Sequence, residues 1–125
     1  MGVVEDYLSA VTTHDWERLA DVVREDVVRT GPYHDRYEGR EAYVGFLAGL
    51  MPNLPGYAMN ISGVTYADGG RRAFAELAET VEVGGAPLVT PEVLVFDIDE
   101  QDRIGRIDIF IKQHPIAQGQ TAGHA

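Results

Sequence analysis

The spacing of apolar residues changes at Pro55-Gly56, and this change constrains the fold more than any other feature of the chain. Before it, apolar residues recur every three or four positions, which is the repeat of amphipathic helices. After it, they alternate with polar residues over four long runs, at 57–67, 71–83, 87–98 and 103–113, as expected for strands. Helices followed by an antiparallel meander predict an α+β domain in which helices pack on one face of a sheet.

Three helices and one short strand are expected before this change. Asp15 is a suitable N-cap for the second helix, and the third helix opens near Gly39 and is stopped by Pro52. A short strand at 27–30 and a polar, aromatic loop at 33–39 separate the second helix from the third. The apolar faces of the three helices are Val4, Tyr7, Leu8 and Val11; Trp16, Leu19, Ala20 and Val23; and Tyr43, Phe46, Leu47 and Leu50.

Charge and composition argue against several kinds of partner. With 20 Asp and Glu against 10 Lys and Arg, the chain has no basic stripe for a nucleic-acid backbone. No apolar run approaches the roughly 18 residues of a membrane span. The chain has no cysteine, and its start lacks the basic and apolar segments of a secretory signal. We therefore expect a cytoplasmic protein that binds neither nucleic acid nor membrane, with one domain over 1–113 and a disordered tail over 114–125.

Strand alternation places two glutamates on a face that is otherwise mostly apolar. A two-residue turn at Gly84-Gly85 pairs the second and third strand runs, and counting back from it makes Glu79 and Glu92 diagonal neighbours. The same count sets Glu79 opposite Thr90 and Leu77 opposite Glu92. A bulge at Pro87 or Pro91 would shift this register. Two carboxylates this close in low dielectric would share a proton, an arrangement that general acid–base chemistry uses.

Two motifs and the order of the elements resemble a known superfamily. The motifs are Tyr37-Glu38-Gly39-Arg40-Glu41 and Phe96-Asp97-Ile98-Asp99-Glu100, the latter followed by Arg103-Ile104. Over roughly 3–113 the chain resembles the nuclear-transport-factor-2-like superfamily, and within it the SnoaL-like polyketide-cyclase group. This resemblance implies a cone-shaped roll of three N-terminal helices on a strongly curved, mainly antiparallel sheet that encloses a pocket, and often a homodimer. It implies no single activity.

The sequence lacks catalytic residues of two enzyme groups in that superfamily, which argues against their reactions. Ketosteroid isomerases use a tyrosine on the first helix, a base after the first strand and a second acid on the penultimate strand. Tyr7 matches the tyrosine, but Gly31 and Leu94 stand at the two acid positions. Limonene-epoxide hydrolases use an Asp-Arg-Asp relay, and Glu79 falls near one of its acids. The arginine and the other acid are replaced by Leu77 and Ile109. Neither chemistry is therefore expected in its known form.

Two functions are compatible with these residues. The first is a cofactor-independent enzyme of cyclase, isomerase or dehydratase type, acting on a hydrophobic, carbonyl-bearing small molecule in polyketide or other secondary metabolism. Glu79, together with Glu92 or His34, would move a proton next to the carbonyl, and Tyr7 would donate a hydrogen bond to the enolate oxygen. Residues expected to contact the substrate are Trp16, Tyr33, Leu77, Leu94 and Ile109. No metal-binding motif or phosphate loop is present in the sequence, so no metal and no cofactor are expected.

The second function is a non-catalytic, dimeric domain that binds a small molecule or assists another protein. Its outer sheet face would form the dimer contact, because it mixes apolar and charged residues; these are Val93, Val95, Phe110, Arg106, Asp108 and Lys112. Each site candidate also has a structural interpretation. Glu79 could lie at a rim and bond Thr90, Tyr7 and Trp16 could be core aromatics, and His34 could be a solvated loop residue.

Overall fold

The structure is a computed structural model that describes residues 2–113. It contains three α-helices, two short 3₁₀ turns and six strands. The helices are α1 (Val3–Thr12), α2 (Trp16–Val22) and α3 (Arg40–Leu50), and the 3₁₀ turns are Met51–Asn53 and Asp68–Gly70. The strands are β1 (Val23–Thr30), β2 (Arg36–Glu38), β3 (Ala58–Ala67), β4 (Arg72–Val83), β5 (Ala86–Ile98) and β6 (Ile104–Ile111). The predicted tail at 114–125 lies outside the described residues.

All six strands form one sheet, in the order β2-β1-β6-β5-β4-β3. Every neighbouring pair is antiparallel except β1 and β6, which are parallel. The three helices pack on one face of this curled sheet, so the predicted α+β fold is confirmed. None of the helices in the described part of the chain is long and apolar enough to cross a membrane.

Two local predictions were wrong near the first strand. Val23, expected on the apolar face of α2, begins β1, and the register between β1 and β6 shifts between Val23 and Val28. The segment predicted as a loop at 33–39 contains β2, which pairs with β1. β1 begins earlier than its own short apolar run indicated because Val23 pairs with Ile104 of β6, and β2 forms because its backbone pairs with the predicted part of β1, 28–30.

The core lies between the helices and the concave face of the sheet. Apolar side chains of α1, α3, β4, β5 and β6 make up most of it. Ala73 and Ala75 are fully buried on β4, and Phe96 on β5 lies opposite Ala73 and meets Tyr7 of α1 edge-to-face. The remaining fully or nearly fully buried residues include Val4, Leu8, Leu19, Tyr43, Leu47, Ile104 and Ile107.

The β4–β5 hairpin has the register that the sequence predicted. Gly84 and Gly85 both have positive φ, at 61° and 82°, as a two-residue mirror-image turn requires. Pairing then runs in continuous register from the turn, with Glu79 opposite Thr90 and Leu77 opposite Glu92. Neither proline displaces the strand, so the two glutamates point to the same face of the sheet. The predicted helix cap is also confirmed, because the Asp15 side chain accepts a hydrogen bond from the Arg18 backbone N–H at 3.2 Å.

Candidate active site

A cavity of about 280 Å³ lies between the helices and the concave sheet face. Most of its wall is apolar, with side chains from α1, α3 and strands β3 to β6. Its charged lining residues are Arg29, Glu79 and Glu92, and its hydroxyl groups belong to Tyr7, Tyr43, Tyr57 and Thr90. Volume and composition match those of a site for a small, largely hydrophobic molecule held by a few polar groups.

Glu79 and Glu92 form a carboxyl pair in this cavity. Both line its wall from neighbouring strands, and both are half-buried. Burial, a hydrogen bond with the Glu79 carboxyl and the negative charge of Glu79 together raise the pKa of Glu92 to about 9, against a smaller opposing effect of Arg29. At neutral pH Glu92 therefore holds a proton beside the carboxylate of Glu79.

Tyr57 hydrogen-bonds to Glu79, the negatively charged residue of this pair. It directly precedes β3, and its hydroxyl donates a very short hydrogen bond to Oε2 of Glu79. Burial, together with the charge and hydrogen bond of Glu79, holds the pKa of Tyr57 well above its usual range. The phenol therefore remains a donor throughout the physiological pH range, and it fixes the orientation of the Glu79 carboxylate.

Tyr7 and Tyr43 bring two hydroxyl groups together on the helical side of the cavity. The hydroxyls are in hydrogen-bond contact, and Tyr7 also meets Phe96 edge-to-face at 5.4 Å between ring centroids. Burial raises the pKa of Tyr43 to about 12, and burial and the neighbouring Tyr43 raise that of Tyr7 well above its usual range. Two neutral hydroxyls share one hydrogen bond between them, so one further proton is available for an acceptor such as a carbonyl oxygen.

Arg29 on β1 contributes the one positive charge among the described lining residues. Its guanidinium lies against the rings of Phe46 and Tyr37, at 5.3 and 5.8 Å from their centroids. Its NH1 group donates to Oδ2 of Asp35 at 2.6 Å. Although partial burial acts to raise the pKa of Asp35, the hydrogen bond from Arg29 lowers it below its usual range, so the ion pair persists at neutral pH.

The same aspartate explains why residue 31 is a glycine. A Cβ atom at Gly31 would lie 2.4 Å from Oδ1 of Asp35 and 2.5 Å from Oδ2, far inside van der Waals contact. The Asp35 carboxylate thus fills the space into which a side chain at position 31 would extend. An acid at this position is incompatible with the Arg29–Asp35 pair as it stands.

The predicted site residues divide into two groups. Tyr7, Glu79, Glu92, Leu77, Leu94 and Ile109 all line the cavity. Trp16, Tyr33 and His34 lie elsewhere, so the structure gives no contact with the cavity that would support a role for them. Trp16 stacks on His14 at 5.4 Å, and Tyr33 and His34 are exposed in a separate open depression beside β6. In the same loop, the Asp35 side chain is bonded to Arg29.

Sequence reasoning missed three polar residues of the cavity. Tyr43 was assigned only to an apolar helix face, and Tyr57 only to a strand run. Arg29 could have been found, because it alternates with Val27 and Gly31 and must share their buried face of β1. Nothing in the spacing shows that Tyr43 meets Tyr7 or that Tyr57 meets Glu79, since these pairs are 36 and 22 residues apart.

The described residues contain no cluster for a metal ion. Within 2–113, no three His, Cys, Asp or Glu side chains come close enough together to form such a site. The polar groups that line the cavity include a carboxyl pair, tyrosine hydroxyls and a guanidinium. These groups can move protons and stabilise an oxyanion.

Solved structures with a similar fold are named for different enzyme activities. A proposed SnoaL-like polyketide cyclase from Shewanella denitrificans has a TM-score of 0.76 at 16% identity, with 88% of each chain covered. An epoxide hydrolase of limonene-epoxide-hydrolase type from M. tuberculosis has a TM-score of 0.74 at 21% identity, covering 88% of this chain and 80% of the other. A proposed polyketide cyclase from Xanthomonas campestris is 26% identical, with a TM-score of 0.71 and 86% of each chain covered.

These likenesses establish the fold without choosing among the reactions. No protein of curated function matches the sequence. The model of the SnoaL-like domain family matches residues 4–107, which include α1 from its second residue, the other two helices, the first five strands and the first residues of β6. The chain belongs to the SnoaL-like domain family.

Proposed function

We propose that this protein is an acid–base enzyme that works without a cofactor on a small hydrophobic molecule bearing a carbonyl group. One observation carries the proposal: Glu79 and Glu92 lie together in a mostly apolar cavity, where burial and the negative charge of Glu79 raise the pKa of Glu92. Such a pair supplies a carboxylate that accepts a proton and a carboxylic acid that donates one. The corresponding reaction types are cyclisation, isomerisation and dehydration, and polyketide or other secondary metabolism is the proposed setting.

Each polar residue has a proposed role. The Glu79 carboxylate, oriented by Tyr57, removes a proton from the carbon next to the carbonyl. Glu92 returns a proton to the developing product. The hydroxyl pair of Tyr7 and Tyr43 donates its remaining proton to the carbonyl oxygen, which becomes negatively charged as the enolate forms. Leu77, Leu94 and Ile109 are proposed to contact the hydrophobic part of the substrate.

A pH titration of Glu92 tests the proposal without a substrate. We expect its side-chain carboxyl to titrate near pH 9 by NMR of carboxyl-labelled protein, because burial and the neighbouring Glu79 disfavour its ionised form. If both carboxyls of the pair titrated near the ordinary glutamate value of 4.5, the pair would hold no proton at neutral pH. The acid–base proposal would then be abandoned.

The second candidate is a non-catalytic binding or accessory domain that dimerises through its outer sheet face. Val93 and Phe110 favour it, because these paired residues of β5 and β6 leave 36% and 59% of their surfaces exposed. We expect wild type to sediment as a dimer and Phe110→Asp as a monomer, since a charge would be buried in the contact. A monomeric wild type at micromolar concentration would rule the contact out. Dimerisation together with an ordinary titration of Glu92 would favour this candidate over the enzyme.

A further inference from the structure

We propose that the molecule bound in this cavity carries a carboxylate and that Arg29 binds it, at a distance from the Glu79–Glu92 pair. The inference rests on the proposed function and deepens it, because it defines the substrate as a hydrophobic oxo acid. The carbonyl would face the glutamate pair, and the carboxylate would lie at the other polar end of the cavity.

The first argument is the burial of Arg29. Only 9% of the residue is exposed, and a buried guanidinium is costly unless acceptors surround its five N–H groups. NH1 is bonded to Asp35, whereas Nε has no hydrogen-bond partner among the described residues. Arg29 nevertheless lines the cavity. Because Nε is enclosed by protein, a ligand in the cavity would bind the N–H groups of the guanidinium that Asp35 does not take.

The second argument is that the guanidinium is already held in place. Tyr37 of β2 and Phe46 of α3 stack on each other at 4.0 Å between centroids and lie beside the guanidinium. The ion pair with Asp35 fixes it from the loop. An arginine fixed in this way binds a planar carboxylate with little loss of side-chain entropy. No lysine and no second arginine line the cavity among the described residues, so a monoanion fits better than a phosphate.

The third argument is the distribution of charge. Arg29 lies beside Ile107 on β6, whereas Glu92 lies beside Ile111, and β6 separates their two strands. Two strand spacings and four residues along β6 separate their backbones, although the charge of Arg29 still reaches Glu92 across the cavity and acts to lower its pKa. With Glu92 protonated, Glu79 is the remaining negative charge of the lining. Asp35 does not line the cavity, and its side chain is 43% exposed, so water screens its charge. A carboxylate at Arg29 is therefore attracted more than it is repelled.

A matched pair of probes tests the inference without turnover. We expect wild type at pH 7 to bind 4-phenylbutanoate at least about tenfold more tightly than the neutral 4-phenylbutanamide by calorimetry, as a charge-assisted hydrogen bond predicts. In Arg29→Gln the two affinities should become equal through loss of carboxylate binding, and Arg29→Lys should keep part of the preference. Equal affinities in wild type, no binding of either probe at millimolar concentration, or a preference that persists in Arg29→Gln would each overturn the inference.

A second variant decides the case if Arg29→Gln does not fold. Asp35→Asn keeps a side-chain oxygen that can accept the hydrogen bond from Arg29 and hold the guanidinium in place, but it removes the negative charge beside it, so we expect tighter carboxylate binding and unchanged amide binding. Unchanged or weaker carboxylate binding in this variant would contradict the inference. Failure of the proposed function is distinguishable, because Glu79→Gln should abolish proton transfer yet keep the preference for the carboxylate. Intact turnover in Glu79→Gln beside a clear carboxylate preference would remove the proposed chemistry and leave the binding site.

Discussion

Glu79→Gln is expected to lower the rate of proton transfer roughly 10²–10⁴-fold, the usual contribution of a positioned general base. Glutamine has nearly the same shape as glutamate and can still accept the hydrogen bond from Tyr57, but it cannot take up a proton. The loss should therefore fall on the chemical step, with substrate affinity retained. The measurement is deuterium incorporation next to the carbonyl of ring-bearing ketones and oxo acids in D₂O, followed by NMR.

Glu76→Gln is the matched control for this experiment. Glu76 lies on the same strand, β4, but points to the exposed outer face. The same substitution there should leave the exchange rate within about twofold of wild type, because no group of the cavity is altered. If Glu79→Gln exchanges the substrate proton as fast as wild type, Glu79 is not the base. An equal loss in both variants would indicate damage to the fold instead of to the chemistry.

Glu92→Gln is expected to make the protein more stable at alkaline pH and to flatten its pH dependence. The pKa of Glu92 rises from 4.5 to about 9 on folding. Between these values the unfolded chain releases a proton that the folded protein keeps, so the free energy of unfolding falls as the pH rises. For a fully buried group, each unit of pKa shift would change the free energy of unfolding by about 1.4 kcal/mol. Because Glu92 is only half-buried and partly screened by water, we expect a smaller loss of roughly 2–3 kcal/mol between pH 5 and pH 9.

Urea unfolding at pH 5, 7 and 9 measures this effect. Glutamine at position 92 can donate an N–H to the Glu79 carboxylate as the protonated acid does, without a proton to lose. We expect the variant to match wild type near pH 5 and to exceed it by roughly 2–3 kcal/mol at pH 9, which is the loss that Glu92 causes in wild type. Glu100→Gln, in the exposed turn before β6, should keep the wild-type slope. A slope for Glu92→Gln equal to that of wild type would show that Glu92 titrates normally.

The cavity differs from the known sites of the superfamily in where its charges lie. The acid positions expected from ketosteroid isomerases hold Gly31 and Leu94, and the structure gives a physical reason for the first. Asp35 fills the space beside Gly31 and is bonded to Arg29. Near the end of β1, Arg29 thus forms an ion pair with Asp35, and Arg29 lines the cavity. The carboxyl pair lies instead on β4 and β5.

The register of the β4–β5 hairpin was determined by the sequence alone. Two consecutive glycines allow the positive φ angles of a tight turn, and a period of two then fixes which residues share a face. These are local rules, so they placed Glu79 and Glu92 together correctly. The helix stripes and the Asp15 cap are local in the same sense. The α+β architecture followed from the order of these elements.

Tertiary structure alone decided which polar groups meet in the cavity. Tyr7 and Tyr43 come from different helices, and Tyr57 reaches Glu79 from outside its strand, so no spacing along the chain connects them. The parallel pairing of β1 with β6 brings Arg29 to the cavity wall, although β1 and β6 are more than 70 residues apart in the sequence. Local patterns fix the direction of each side chain relative to its own helix or strand. The distance between two such side chains depends on how the sheet curls and how the helices pack on it, which short-range periodicity does not encode.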